Sequence, residues 1–230
     1  MKPLAIDLFC GIGGWTEGLL AAGYEVIGFD IERHHYGEHR YPSQLVLQDV
    51  RTLHGRQFRH AALIVASPPC QAYSYRAMPW KRAKALPPPD NTLFEAPFRI
   101  QREAMEASGR FIPLVVENVK GAQKWVGRAR WNFGSFYLWG DVPALMPMAT
   151  ARKNNGGSWF NVGSPGQKET GRNPVHELAG IKHIGSGPVW FDTGPASLSS
   201  KSKARKAASA MIAKIPLPLA THIGRYWWPA

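Results

Sequence analysis

Apolar residues in this chain fall in short blocks separated by polar residues, glycines and prolines. Leu4–Phe9, Glu25–Phe29, Leu45–Leu47 and Leu63–Ala66 read as strands, and Phe111–Val116 as a fifth. Ser135–Leu138 is a further candidate strand. Trp15–Ala22 and Phe98–Ser108 have helical spacing, with Gly23 and Gly109 placed where helices stop. Strands and helices alternate through roughly the first 140 residues, which predicts an α/β fold with a mixed, mostly parallel sheet.

The pattern is lost after Pro147. Ala151 to Gly194 is rich in Gly, Asn, Ser, Thr and Pro, yet keeps Trp159, Phe160, Trp190 and Phe191 among several cations. It reads as a small irregular insert that presents aromatic and basic groups. Helical spacing returns at Ala207–Ile215, breaks at Pro216-Leu217-Pro218, and resumes over Leu219–Ile223. The predicted division is therefore a main domain over 1–149, an insert over 150–200, and C-terminal helices over 201–230 that return to the main domain.

Composition narrows the class of partner. Of 230 residues, 28 are Lys or Arg and 16 are Asp or Glu, a formal charge of +12. Such an excess favours a polyanion, nucleic acid first and an anionic membrane second. No apolar stretch approaches the ~18 residues needed to span a bilayer, and the N-terminus enters a strand pattern with no signal-peptide core. The two cysteines, Cys10 and Cys70, point to a reducing, cytoplasmic setting. The histidines lack a metal-ligand spacing with the cysteines, and no metal is expected.

Candidate chemistry sits at the ends of the strands. Asp7-Leu8-Phe9-Cys10-Gly11-Ile12-Gly13-Gly14 opens a strand into a glycine-rich turn, where backbone can approach a ligand. The dinucleotide pattern is incomplete, because Thr16 occupies the third glycine position. Asp7 also places a carboxylate where a pyrophosphate would be repelled, so a cationic, phosphate-free cofactor such as S-adenosylmethionine suits the turn better. Asp30, ending the second strand, is placed to accept from ribose hydroxyls, and Asp49, after the third, from an adenine amino group. Either acid could equally be a loop residue or helix cap.

Ser67-Pro68-Pro69-Cys70-Gln71 follows a buried strand and presents a thiol from a proline-stiffened turn. Glu117-Asn118 directly follows Leu114-Val115-Val116, putting a carboxylate at the sheet edge where α/β proteins bind ligands. Between them, Ala72–Asn91 interleaves aromatics with cations, among them Arg76, Lys81 and Arg82, as a nucleic-acid contact or a closing loop would.

Together these segments resemble the cytosine-C5 DNA methyltransferases, in a compact form like that of phage or prophage enzymes. DLFCGIGG looks like that family's cofactor turn, SPPCQ its catalytic motif, DNTLF (Asp90–Phe94) the segment after its mobile loop, and ENV (Glu117–Val119) its third landmark. The resemblance implies a Rossmann-like S-adenosylmethionine-dependent methyltransferase fold, in a monomer of a bacterial or phage-infected cell. It implies a Cys70 attack on C6 of a flipped-out cytosine in double-stranded DNA, with Glu117 holding the N3 and amino edge and Asn118 beside it. Asp7, Phe9, Gly11, Ile12, Gly13, Asp30, Ile31, Asp49 and Leu93 would line the cofactor site, with the Pro69 backbone near both cofactor and base. Gln71, Tyr73, Arg76, Lys81, Arg82 and Arg152 would meet nucleic acid.

Two departures stand out. Ile212-Ala213-Lys214-Ile215-Pro216 lacks the Gly-Asn pair of the family's C-terminal signature. The insert is also short for a target reader, and each bidentate base contact is worth only ~1–3 kcal/mol of discrimination. A short or relaxed recognition sequence is expected. The same chemistry on RNA, or an inactive DNA-binding module that keeps the fold, are the alternative readings. The Cys-Phe-Thr segment usual in the related tRNA-methylating branch is absent.

Overall fold

The computed structural model describes residues 2–36, 39–73, 87–147 and 203–229. Its centre is a seven-stranded sheet of β1 (Leu4–Leu8), β2 (Glu25–Asp30), β5 (Gln44–Leu47), β6 (Leu63–Ala66), β7 (Leu114–Asn118), β8 (Trp131–Phe133) and β9 (Phe136–Gly140). The strand order is β5-β2-β1-β6-β7-β9-β8. The first five in that order are parallel, and β9 and β8 add an antiparallel edge. A short hairpin, β3 (His35–Tyr36) with β4 (His39–Arg40), stands apart from the sheet.

The two faces of the central strands feed two cores, as the two-residue side-chain period requires. Ile6, Leu8, Ile64, Ala66, Leu114 and Val116 pack on one side, with Phe94, Ile100 and Ala104 of helix α2 (Thr92–Ser108). Ala5, Val26, Leu63, Val65 and Val115 pack on the other, with Trp15 and Leu19 of α1 (Gly14–Ala21) and the C-terminal Leu219, Ala220 and Ile223. Helices on both faces of a mostly parallel sheet make a Rossmann-like sandwich.

Several boundaries differ from the sequence expectation. Helix α2 begins at Thr92 rather than Phe98, with Pro97 inside it. Phe94, Pro97, Ile100 and Ala104 share its buried face, so packing outweighs the backbone hydrogen bond that proline removes. Phe111 is 52% exposed and precedes the strand, which starts only after Pro113 and runs on through Asn118. A single helical turn, α3 (Gln123–Val126), leads to β8, which the sequence reading missed.

The C-terminal helices are longer than expected: α4 covers Lys203–Ala213 and α5 covers Leu217–Tyr226. Pro216 and Pro218 start α5 rather than merely breaking the chain, because the first helical positions need no N–H partner. Helix α5 packs on α1 so closely that a Cβ on Gly18 would lie 2.2 Å from Ala220 Cβ. Lys214 Nζ pairs with Glu17 Oε1 at 2.7 Å, and Tyr24 donates to the Gly224 carbonyl at 3.1 Å. The segment after β9 is fastened to the same helix: Trp227 Nε1 donates to the Asp141 carbonyl at 3.0 Å, and His222 Nε2 lies 2.9 Å from the Leu145 carbonyl. The expected insert over 150–200 lies outside the described residues.

Candidate active site

Strand order decides which residues meet. Reading along the C-terminal edge from β5 through β2, β1 and β6 to β7, the chain presents Asp49, Asp30, the glycine turn, the Cys70 turn and Glu117 in that sequence. Two acids and a glycine turn occupy one half of the edge. The thiol and the third carboxyl occupy the other.

The glycine turn is built on positive φ angles: Phe9 at +56°, Gly11 at +53° and Gly13 at +86°. Phe9 is a strained position for a residue with a side chain. A Cβ at Gly11 would meet nothing within 4 Å, so backbone conformation rather than crowding selects glycine there, and the space above the turn is open. Gly11 N donates to Asp30 Oδ2 at 2.9 Å, and Ile31 N to Asp30 Oδ1 at 2.8 Å. His34 Nε2 lies 3.4 Å from Asp30 Oδ1. Burial alone would raise the Asp30 pKa, but the bonds from His34 and from the Gly11 and Glu32 N–H groups outweigh it and hold the carboxyl below its ordinary range. In turn the Asp30 hydrogen bond raises the His34 pKa.

Asp7 behaves differently from expectation. It is 0% exposed, and burial pushes its pKa up to about 7. Thr16 Oγ1 donates to Asp7 Oδ2 at 2.6 Å and lies 2.6 Å from the Tyr41 hydroxyl, while Asp7 Oδ1 has no partner. Asp7 is thus an internal brace of the turn, and the carboxyl held ionised at this part of the edge is that of Asp30. Ile12 is buried in the turn, Leu93 is half-buried in the first turn of α2, and Ile31 stands 70% exposed beside Asp30. Asp49 caps a 3-10 turn over Val50–Thr52, accepting from Arg51 N at 2.9 Å and from the Arg51 guanidinium, whose bonds hold its pKa low.

The two cysteines separate cleanly. Cys10 is buried, and desolvation drives its thiol pKa far up, so it stays protonated and inert. Cys70 is half-buried on the turn after β6, and neither cysteine forms a disulfide. Asn118 Nδ2 donates to the Pro68 carbonyl at 2.9 Å, while Asn118 Oδ1 accepts from Val119 N at 2.8 Å. Asn118 thus ties β7 to the thiol's turn through backbone. That makes it a positioning residue rather than a group directed at substrate.

Glu117 is 9% exposed, and burial pushes its pKa up to about 8, with a hydrogen bond from the Ser67 hydroxyl pulling it partway back. Trp15 Nε1 donates to Ser67 Oγ at 3.0 Å. Sequence reasoning gave no role to Ser67, Trp15, Thr16, Tyr41 or His34. Only Ser67 carried a local signal, standing directly before the two prolines.

Among the expected nucleic-acid contacts, Tyr73 is a correction. It is 2% exposed, packs edge-on against Phe94 and donates to Asn91 Oδ1 at 2.9 Å, so its ring has no face to offer a base. Gln71 is exposed next to the thiol and Pro69 is exposed before it. Arg76, Lys81, Arg82 and Arg152 lie outside the described residues. No helix among the described residues is long and apolar enough to cross a membrane.

Residues 4–125 match the family model for C-5 cytosine-specific DNA methylase, more than half of the chain, and the chain belongs to that family. Among solved structures it is similar to a chain described as a DNA modification methyltransferase encoded within an E. coli prophage, at 26% identity and TM-score 0.39 over 55% of this chain and 35% of that one. It is similar to the Dnmt2 methyltransferase of S. pombe at 18% identity and TM-score 0.37, over 55% of this chain and 37% of that one. The Entamoeba histolytica methyltransferase EhMeth gives 17% identity and TM-score 0.38, over 55% and 41%. The aligned part therefore spans well under half of each of those chains. Membership rests on the family match. No curated protein matches the chain.

Proposed function

We propose that this chain transfers a methyl group from S-adenosylmethionine to C5 of a cytosine flipped out of double-stranded DNA. The observation that carries this reading is the neighbourhood of a half-exposed thiol, Cys70, and a buried carboxyl, Glu117, on adjacent strand ends beside the glycine turn.

The cofactor half of the edge fits S-adenosylmethionine. Open space lies above Gly11, Asp30 is held ionised toward a cationic ligand and ribose hydroxyls, and Ile31 leaves apolar surface for an adenine face. Phe9, Ile12, Gly13, Asp49, the Pro69 backbone and Leu93 complete the proposed cofactor site, with Asp7 bracing it from below. S-adenosylmethionine, when bound, supplies an electrophilic methyl group.

The protein's own residues do the remaining work. The Cys70 thiolate forms a bond to C6 of the base. Glu117, kept protonated near neutral pH by burial, donates to N3 and neutralises the charge that develops there. C5 then takes the methyl group. A solvent base takes the C5 proton, the C6–S bond breaks with its electron pair on the Cys70 sulfur, and the N3 proton returns to Glu117, so the aromatic ring and the thiolate are both restored. Residues 1–149 hold the cofactor and the chemistry, 150–200 read the target sequence, and 201–230 return to the catalytic body. The short reader favours a short or relaxed recognition sequence.

The test is transfer of a labelled methyl group to unmethylated duplex DNA, with an RNA arm and Cys70→Ala alongside. Label at cytosine C5 of DNA, lost with Cys70→Ala, is the expected result. Label in RNA alone moves the substrate. Cofactor and DNA binding with no label in either overturns the enzymatic reading.

A further inference from the structure

We propose that the groove between α2 and the segment joining α3 to β8 is a second nucleic-acid site, which takes a single strand by its phosphates and bases away from the catalytic edge.

The groove encloses about 770 Å³. Phe98, Val126 and Trp139 form its apolar floor, and its walls carry Arg102 from α2 and Arg128 and Arg130 from the segment before β8. Arg102 also borders an adjoining hollow of about 390 Å³, which Arg110 and Phe111 line just past the end of α2. Arg51 and Arg99 line the groove as well, but each is held by an acid, Arg51 by Asp49 and Arg99 by Glu103 at 2.9 Å. Arg102, Arg128 and Arg130 are exposed and make no side-chain hydrogen bond or ion pair among the described residues. The exposed acids on the rim, Glu95 and Glu106, stand near opposite ends of α2. Asp141 is taken up by Gln101 Nε2 at 2.7 Å and Leu114 N at 2.9 Å. The middle of the groove is therefore cationic on both walls.

Unpaired guanidinium groups above an apolar floor fit a ligand that brings both negative charge and flat apolar surface. A nucleic-acid strand has a phosphate on every residue and a base that stacks without regard to sequence. Phe111, 52% exposed, offers such a stacking surface beside Arg102 and Arg110. A duplex keeps its bases paired inside a rigid cylinder and would leave the floor uncovered, whereas a single strand can follow the groove.

The groove runs away from the chemistry. Strand β9 is antiparallel to β7, with Tyr137 opposite Asn118 and Gly140 opposite Val115, so Trp139 to Asp141 approach the sheet edge opposite to Glu117. Gly109 to Phe111 precede β7 and stand toward that same far edge. None of the residues proposed to hold cofactor or base lines either hollow.

The probe is a fluorescent oligothymidylate of about 20 nucleotides, longer than a typical single-strand site and free of cytosine. Its anisotropy is followed across salt with wild type, with Phe111→Ala, and with Arg102, Arg128 and Arg130 changed together to Gln or to Lys; melting curves check that each variant folds. An oligouridylate arm separates RNA from DNA as the strand preferred. Each phosphate contact on a single strand contributes about 0.7 to the slope of log affinity against log salt, so the triple Gln variant should lose about 2 from that slope and bind at least ten-fold or so more weakly at about 0.1 M salt. The triple Lys variant, which keeps the charges, should retain most of the slope. Phe111→Ala should weaken binding roughly ten-fold with the slope unchanged. Saturating cytosine-containing duplex should leave the strand bound, and the triple Gln variant should keep wild-type methyl transfer at saturating duplex.

Wild-type affinity and slope in the triple Gln variant overturn the site. Displacement of the strand by duplex does so too, since the strand would then occupy the catalytic cleft. Binding of polyglutamate with neither oligonucleotide bound would make the groove a protein-docking surface and overturn it as well. Methyl transfer lost together with strand binding would assign the arginines to the duplex substrate instead. Failure of the proposed methyl transfer shows separately: a wild-type protein that labels no cytosine yet binds the strand through these three arginines keeps the second site and loses only the enzymatic reading.

Discussion

Replacing Asn118 with alanine should cost stability and rate by separable routes. The side chain is 1% exposed and makes two hydrogen bonds, to the Pro68 carbonyl at 2.9 Å and from Val119 N at 2.8 Å. Alanine leaves a buried carbonyl and a partly buried N–H without partners, each worth about 1–3 kcal/mol, so the loss should be about 2–6 kcal/mol. Pro68 stands two residues before Cys70, and the Pro-Pro segment is too stiff to absorb a shift at its start. A thiol displaced by about an ångström should cost on the order of 100-fold in the chemical step. Urea unfolding gives the first quantity, as a lower midpoint at constant m. Single-turnover methyl transfer in native buffer, at saturating cofactor and DNA, gives the second. Asn118→Asp is the informative companion, since it keeps the acceptor for Val119 N and loses the donor to Pro68. A loss under about 0.5 kcal/mol with an unchanged single-turnover rate would refute the tether.

Other consequences can be checked as directly. Gly18→Ala should destabilise the chain by about 1–3 kcal/mol and speed hydrogen exchange in Leu217–Tyr226, because the new methyl group meets Ala220 Cβ and the Thr221 backbone; unchanged exchange there would contradict the packing. The folded Glu117 holds its proton up to a pKa of about 8, whereas the unfolded side chain releases it near the ordinary glutamate value of 4.5. Between those two values the folded state binds more protons than the unfolded one, so stability falls as pH rises. Glu117→Gln should therefore gain several kcal/mol over wild type at pH 8 and little at pH 5, a contrast that thermal melts at the two values will show or deny. Alkylation of the native protein should label Cys70 and spare Cys10 until the chain unfolds; equal labelling rates would contradict the burial of Cys10.

The strand ends were legible because each is marked by its own neighbours. Ser67–Gln71 and Glu117–Asn118 follow continuous apolar runs, and a parallel sheet brings such ends to one edge whatever lies between them. Burial was not legible. Asp7 and Asp30 look alike as acids in strands, yet one is fully enclosed beneath Thr16 and the other is held ionised by backbone N–H groups and His34. Tyr73 sits among residues that read as a nucleic-acid loop, but its ring turns into the core against Phe94. The start of α2 was hidden by Pro97, which local propensity counts against a helix and tertiary packing overrides. The Trp15–Ser67 bond joins positions 52 apart and the Tyr24–Gly224 bond positions 200 apart, separations at which a single sequence carries no pairing signal.

The fastening of residues 141–145 to α5 has an evolutionary consequence. Trp227 and His222 grip the chain shortly before residue 148, and Lys214 anchors it to α1 shortly after residue 202. Whatever is spliced between those points begins and ends on the same rigid body. Closing a longer excursion between fixed ends adds only about 0.6 kcal/mol for each doubling of its length. The stretch between them can therefore be shortened, lengthened or exchanged wholesale while the sheet and its edge stay as they are. Under the proposed function, new sequence preferences would come from trading one cassette, with the sheet edge left untouched.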